Sequence, residues 1–129
     1  MIGRRTFIGR GLAIAVLGAA RGDAMMLEQP MYGLIGKIVA AAGRRDALLG
    51  ILLEGTAAMP GCLSYVVARD AADENAIWVT EVWESEASHR GSLELPAVQD
   101  AIRRGRPMIA GFESVAVTAP LGGVGLPLA

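Results

Sequence analysis

The sequence predicts one α+β domain with the element order β-α-β-β-α-β, preceded by a segment that lies outside the fold. Three observations carry this. Of 129 residues, 53% are apolar and 19% are charged, enough apolar material for one packed core and a length that suits a single domain. Four stretches are rich in β-branched and apolar residues, and apolar positions recur at helical spacing between them. Turn-forming residues fall between these stretches, at Gly43, Met59-Pro60-Gly61, Asp70 to Asn75 and Pro107.

Residues 1–24 read as a targeting segment. Arg4-Arg5-Thr6-Phe7-Ile8 is an arginine pair followed by large apolar residues. Gly11 to Ala20 is an uncharged run too short to span a bilayer as a helix, and Gly22 and Ala24 suit a signal peptidase. The order resembles a twin-arginine-type export signal, which places the protein in the periplasm or outside the cell; a cytoplasmic location is the alternative. No stable membrane span is expected in the mature form. Removing Arg4, Arg5, Arg10, Arg21 and Asp23 takes the net charge from −1 to −4. With no basic stripe, nucleic acid is not an expected partner. One cysteine and one histidine, Cys62 and His89, exclude zinc sites of several thiolates and multi-histidine centres, so no metal is expected. In an oxidising compartment Cys62 has no intramolecular partner and should be buried.

The domain itself runs from 31 to 120. Residues 31–40 are apolar and β-branched, with no breaker but glycine, and predict a strand. Over 44–57, Leu48, Leu49, Ile51, Leu52 and Leu53 recur at helical spacing and form one broad apolar face. Pro60 and Gly61 stop that helix. Residues 62–69 predict a second strand, Asp70 to Asn75 a polar hairpin loop, and 76–84 the strongest strand of the chain. Ser85 caps a short helix over 86–93. Pro96 opens another over 96–106, and 111–118 form the last strand. Residues 121–129, with Gly122-Gly123 and Pro127, read as a flexible tail. This order is the ferredoxin-like split βαβ arrangement, an antiparallel four-stranded sheet with helices on one face.

Alternation along the strands makes both sheet faces largely apolar. Leu63, Tyr65 and Val67 oppose Cys62, Ser64, Val66 and Ala68; Ile77, Val79, Glu81 and Trp83 oppose Trp78, Thr80 and Val82. Helices cover one face only. The other would expose Trp78, Val82 and Val66, and a second copy of the chain is the expected cover, giving a homodimer.

The sequence has no phosphate loop, nucleophile elbow or dinucleotide fingerprint, and no flavin or nicotinamide site. What remains is a constellation on the third strand and the helix after it. Glu81 and Trp83 share a face, His89 follows six residues later, and Tyr65 supplies a hydroxyl from the neighbouring strand. A Glu81–His89 pair beside an indole has the chemistry to take a proton from a phenol or quinol. The same residues are equally compatible with core packing and a surface histidine. Arg103, Arg104 and Arg106, with Arg90 on the preceding helix, read as a solvated basic face, although they carry the charge to attract an anion at a pocket mouth.

Met59-Pro60-Gly61-Cys62-Leu63-Ser64-Tyr65, then Ile77 to Ser85, then Ala87-Ser88-His89, with Leu95-Pro96-Ala97-Val98 and Gly105-Arg106-Pro107 beyond, resemble the antibiotic biosynthesis monooxygenase superfamily and, within it, the quinol monooxygenase branch. The resemblance covers about Met31 to Pro120. It implies a dimeric α+β barrel, with a pocket between sheet and helices in each subunit. It also implies oxidation of a small hydroxyaromatic or quinol-like substrate by O₂ without a cofactor. Trp83 matches the family's pocket tryptophan. Val79 stands four residues before it, where some polyketide-oxidising members have asparagine, and would touch substrate with Tyr65 and Trp83. Other relatives bind and degrade haem through a helix histidine, a role open to His89. A non-catalytic dimeric ligand-binding module is the third expectation.

Overall fold

The computed structural model describes residues 30–127. The export segment expected over 1–24 lies outside them. The predicted order is observed: β1 (Tyr32–Ala40), α1 (Arg45–Gly55), β2 (Cys62–Arg69), β3 (Ala76–Trp83), α2 (Glu86–Ser92), α3 (Pro96–Gly105) and β4 (Ile109–Thr118). The strands form one antiparallel sheet in the order β2-β3-β1-β4, the ferredoxin-like topology. Among the described residues no helix is long and apolar enough to cross a membrane.

Local chemistry explains most boundaries. Ser85 is extended, and its Oγ accepts the Ser88 backbone N–H at 3.1 Å, which caps α2. Pro96 occupies the first turn of α3, where its missing N–H has no helical partner to lose. Gly61 adopts φ 81°, and a Cβ there would lie 2.6 Å from the Ser88 Oγ, so the turn into β2 needs glycine twice over. β4 begins two residues earlier than expected. Pro107 lies inside a 3₁₀ turn (Arg106–Met108), and the Met108 carbonyl accepts from Ala41 N–H at 2.8 Å, which feeds the chain directly into the sheet. Arg45, the first residue of α1, donates from Nη1 to the carbonyls of Asp70, Asp73 and Ala76, at 3.3, 2.9 and 3.2 Å, and pins the β2–β3 hairpin to that helix.

Register sets the two faces. On the helix side, rows run Tyr65–Glu81–Leu34–Val117, Val67–Val79–Gly36–Val115, and Ile77–Ile38–Phe112. The core forms where α1 lies over this face, with Leu48 and Leu49 against Ile38, Ala40, Ile77 and Val79. α1 and α3 meet closely, Gly55 against Ala101 and Gly105 against Leu48. Leu53, expected on the apolar face of α1, is 57% exposed: that face is narrower than its leucine content suggests.

Two expectations about the faces are corrected. A register shift between Cys62 and Ser64 sets Cys62 opposite Trp83, on the helix side, and breaks the simple alternation that grouped it with Ser64 and Val66. The helices also leave part of their own side uncovered: Phe112, Val115 and Val117 on edge strand β4 are each 65% exposed. On the open face Val66 is 54% exposed, while Trp78 and Val82 are half-buried. Trp78 is shielded by its neighbours, since its Nε1 donates to Asp70 Oδ2 at 2.7 Å and the Lys37 ammonium lies over its ring. From Leu121 to Pro127 the chain runs without helix or strand, with Leu121 and Val124 fully in solvent.

Candidate active site

Between the sheet and the three helices lies a cavity of about 450 Å³, a size common to small-molecule sites. Its walls are apolar, from Leu48 and Leu52 of α1, Met59, Val98 and Ile102 of α3, and Ile38 and Phe112 of the sheet. Polar groups are few. Tyr65, Glu81 and His89 line the interior with Trp83, and Arg106 lines the side nearest solvent, beside the exposed Leu93, Ile102 and Phe112.

The fold brings these groups together from distant parts of the chain. Tyr65 and Glu81 are direct cross-strand partners, and Trp83 follows Glu81 on the same face. Trp83 is 1% exposed, and its indole Nε1 donates to Glu81 Oε1 at 2.9 Å. That bond fixes one carboxylate oxygen of Glu81 and leaves the other without a hydrogen bond among the described residues. His89, set by the Ser85 cap, lies 5.5 Å from both the Tyr32 and the Trp83 ring centres, tilted on the first and edge-on to the second. Burial, with the Glu81 charge second, pushes the Tyr65 hydroxyl well above the usual phenol range, so it remains a donor. Burial likewise raises the Cys62 thiol, and the Ser64 carbonyl accepts from it at 3.6 Å; this cysteine is protonated and only partly exposed. Among the described residues no cluster of three or more potential ligands could hold a metal ion.

A family model for antibiotic biosynthesis monooxygenases matches residues 31–104, over half of the chain. The chain belongs to the antibiotic biosynthesis monooxygenase family. A provisionally assigned antibiotic biosynthesis monooxygenase from Chloroflexus aurantiacus J-10-fl is 60% identical, covering 75% of this chain and 99% of that one, with a TM-score of 0.74. Protein PA3566 from Pseudomonas aeruginosa, at 22% identity, covers 74% and 98% with a TM-score of 0.65. A provisionally assigned family member from Caulobacter crescentus CB15, at 19% identity, covers 78% and 99% with a TM-score of 0.66. The last two share the fold alone. No curated protein matches the chain.

In this antibiotic biosynthesis monooxygenase family member, four of the five residues singled out from sequence line one cavity: Tyr65, Glu81, Trp83 and His89. Val79 does not. It is 5% exposed and packed beneath the α1 leucines, so its side chain belongs to the core. The expected Glu81–His89 pairing is replaced by Glu81–Trp83, because the indole N–H two residues along the strand reaches the carboxylate first. Sequence reasoning misses Tyr32. It pairs with Trp83 only through the β1–β3 register, which the sequence does not display. Arg106 is separated from its neighbours by its partners, or lack of them. Asp100 engages Arg103 and also Arg104, the latter at 2.8 Å, and Glu54 meets Arg104 at 3.0 Å. Asp100 lies three and four residues before these two, a helical spacing that marks them as a solvated network and sets Arg106 apart.

Proposed function

We propose that this protein is a cofactor-independent monooxygenase that oxidises a quinol-like or hydroxyaromatic molecule with O₂, acting as an exported homodimer. The supporting observation is one apolar cavity in which a carboxylate, an imidazole and a protonated phenol converge beside a buried indole. The apolar walls take the aromatic body and exclude water from it. Glu81 or His89 removes the proton of a substrate hydroxyl, and the Tyr65 O–H donates to the resulting oxyanion. The Trp83 N–H orients Glu81. The aromatic anion is electron-rich and donates an electron to O₂ itself. For 1,4-dihydroxynaphthalene the balanced outcome is one oxygen atom inserted into the ring and one released as water. The quinol loses four electrons and becomes a hydroxynaphthoquinone.

Dimerisation is supported by the open sheet face, where Val66 is exposed and Ile35, Val39, Trp78 and Val82 form a half-buried layer with no helix of the described residues above it. A second sheet packed on it would bury this layer. Sedimentation at low concentration checks this directly; a stable single subunit would contradict it.

The functional test is oxygen uptake with a panel of hydroquinones and naphthalenediols. Wild type should consume O₂ in proportion to quinol, and Glu81→Gln and His89→Ala should lower the rate about 10²-fold or more, the scale of a general base. Equal rates in all three proteins would end the proposal. Haem titration is the companion control, because a Soret shift lost in His89→Ala would replace this reading with a haem-binding one.

A further inference from the structure

We infer that the ligand of this cavity carries an anionic group, of the carboxylate class, which Arg106 grips at the opening while the aromatic body fills the interior. The inference rests on the reading of the cavity as a hydroxyaromatic site and adds the substrate's charge to it.

Three observations support it. Among the described residues Arg106 is the one guanidinium lining the cavity; Arg103 and Arg104, close by in sequence, do not line it. Those two are neutralised by Asp100 and Glu54, whereas Arg106 has no ion-pair partner among the described residues. Its backbone is firmly placed. Its N–H donates to the Ile102 carbonyl and its carbonyl accepts from Ile109 N–H. The flanking Gly105 packs so close to Leu48 that an added Cβ would lie 3.0 Å from Leu48 Cδ1, and Pro107 fixes the backbone that follows.

The surroundings give this arginine something to discriminate. The exposed Leu93 and Ile102 flank it, and Phe112 adds a third exposed apolar side chain to the lining. Arg103 shares the surface groove outside Leu93 and Ile102 but is paired with Asp100, so Arg106 carries the unpaired positive charge among the described residues at this rim. A neutral quinol would use the rim and leave the guanidinium to water. A ring bearing a carboxylate would use both, because the planar fork of arginine matches a carboxylate through two parallel hydrogen bonds. The sheet also spaces the two ends. Glu81 stands opposite Leu34 of β1, while the chain leaving Arg106 enters the sheet opposite Ala40, six residues along the same strand. Those two strand positions are about 20 Å apart at about 3.3 Å per residue, before the side chains of Glu81 and Arg106 reach into the cavity between them.

The test compares two probes that differ by one carboxylate, 1,4-dihydroxynaphthalene and 1,4-dihydroxy-2-naphthoate. Both are titrated without oxygen into the wild-type protein and into the Arg106→Gln and Arg103→Gln variants, with tryptophan fluorescence as the readout. Wild type should bind the naphthoate roughly tenfold more tightly, the scale of a charge-assisted hydrogen bond at a solvated site. Arg106→Gln should bring the ratio of the two Kd values close to one, and Arg103→Gln should keep it. The preference should shrink as ionic strength rises. A wild-type ratio near one, a ratio that survives Arg106→Gln, or no binding of either probe would overturn the inference. Oxygen uptake on the same samples separates it from the oxygenase proposal. Turnover without charge preference removes the anion site alone; Arg106-dependent preference without turnover removes the oxygenase and leaves the anion site standing.

Discussion

The hydrogen bond from the Trp83 indole to Glu81 is the contact on which the site's geometry turns, and its strength follows from the structure. Trp83 is 1% exposed and Glu81 half-buried, with 2.9 Å between Nε1 and Oε1. A hydrogen bond to a charged acceptor contributes about 1.5–3 kcal/mol, and partial exposure of Glu81 places this one near the lower figure. Trp83→Phe removes the donor and leaves a small void, for which about 1 kcal/mol more is expected. The single variant should therefore lose about 2.5 kcal/mol of unfolding free energy. Glu81→Ala removes the acceptor but opens only onto the cavity, and should lose about 1.5 kcal/mol. The double variant should then lose less than the sum, with a coupling of about 1.5 kcal/mol. Urea unfolding followed by far-ultraviolet circular dichroism at one fixed protein concentration measures all four corners. A coupling under about 0.5 kcal/mol would mean that the two residues act independently, and would refute the role of Trp83 as the group that positions Glu81.

Other parts of the molecule respond in defined ways. Gly55→Ala places a methyl 2.4 Å from the Ala101 Cβ and 3.3 Å from the Ala97 carbonyl, forcing α1 and α3 apart. Overpacking of about 1–3 kcal/mol against a helix-propensity gain of up to about 1 kcal/mol leaves a net loss of about 1–2 kcal/mol, which Ala101→Gly in the same chain should largely restore in thermal melts. Asp70 is held at about 2, below its ordinary 3.8, first by the Trp78 N–H and then by the backbone N–H groups of Asp73 and Ala72. A lowered carboxyl stabilises the fold above its unfolded value, and the contribution is lost as pH falls from about 4 to about 2. Near-ultraviolet dichroism of Trp78 should change over that window in wild type and lose this transition in Asp70→Asn.

Much of the fold is legible in the sequence because its punctuation is chemical. Ser85 caps a helix wherever an extended residue precedes one, and Pro96 suits a first turn; both stand where the pattern puts them. Period two along β3 is enough to group Ile77, Glu81 and Trp83 on the helix side. What stays hidden depends on pairing. The register shift that turns Cys62 toward the helices involves one extra residue in β2, which no local propensity announces. Val79 shares a face with Glu81, but it lies under the α1 leucines and Glu81 lies beyond them, a distinction that exists only once helix and sheet are docked. Tyr32 meets His89 through three elements at once. Arg106 is an intermediate case: the Asp100 spacing is readable, and the cavity that gives the remaining arginine its meaning is not.

The proposed chemistry begins when the cavity draws a proton from the hydroxyaromatic it binds. Anaerobic absorbance spectroscopy of bound 1,4-dihydroxynaphthalene, at a pH where the free compound is neutral, reads that event with no contribution from oxygen chemistry. The bound compound should show the red-shifted spectrum of its anion, and the shift should disappear in a Glu81→Gln/His89→Ala protein. A bound compound that keeps its neutral spectrum in the wild-type protein would contradict the account.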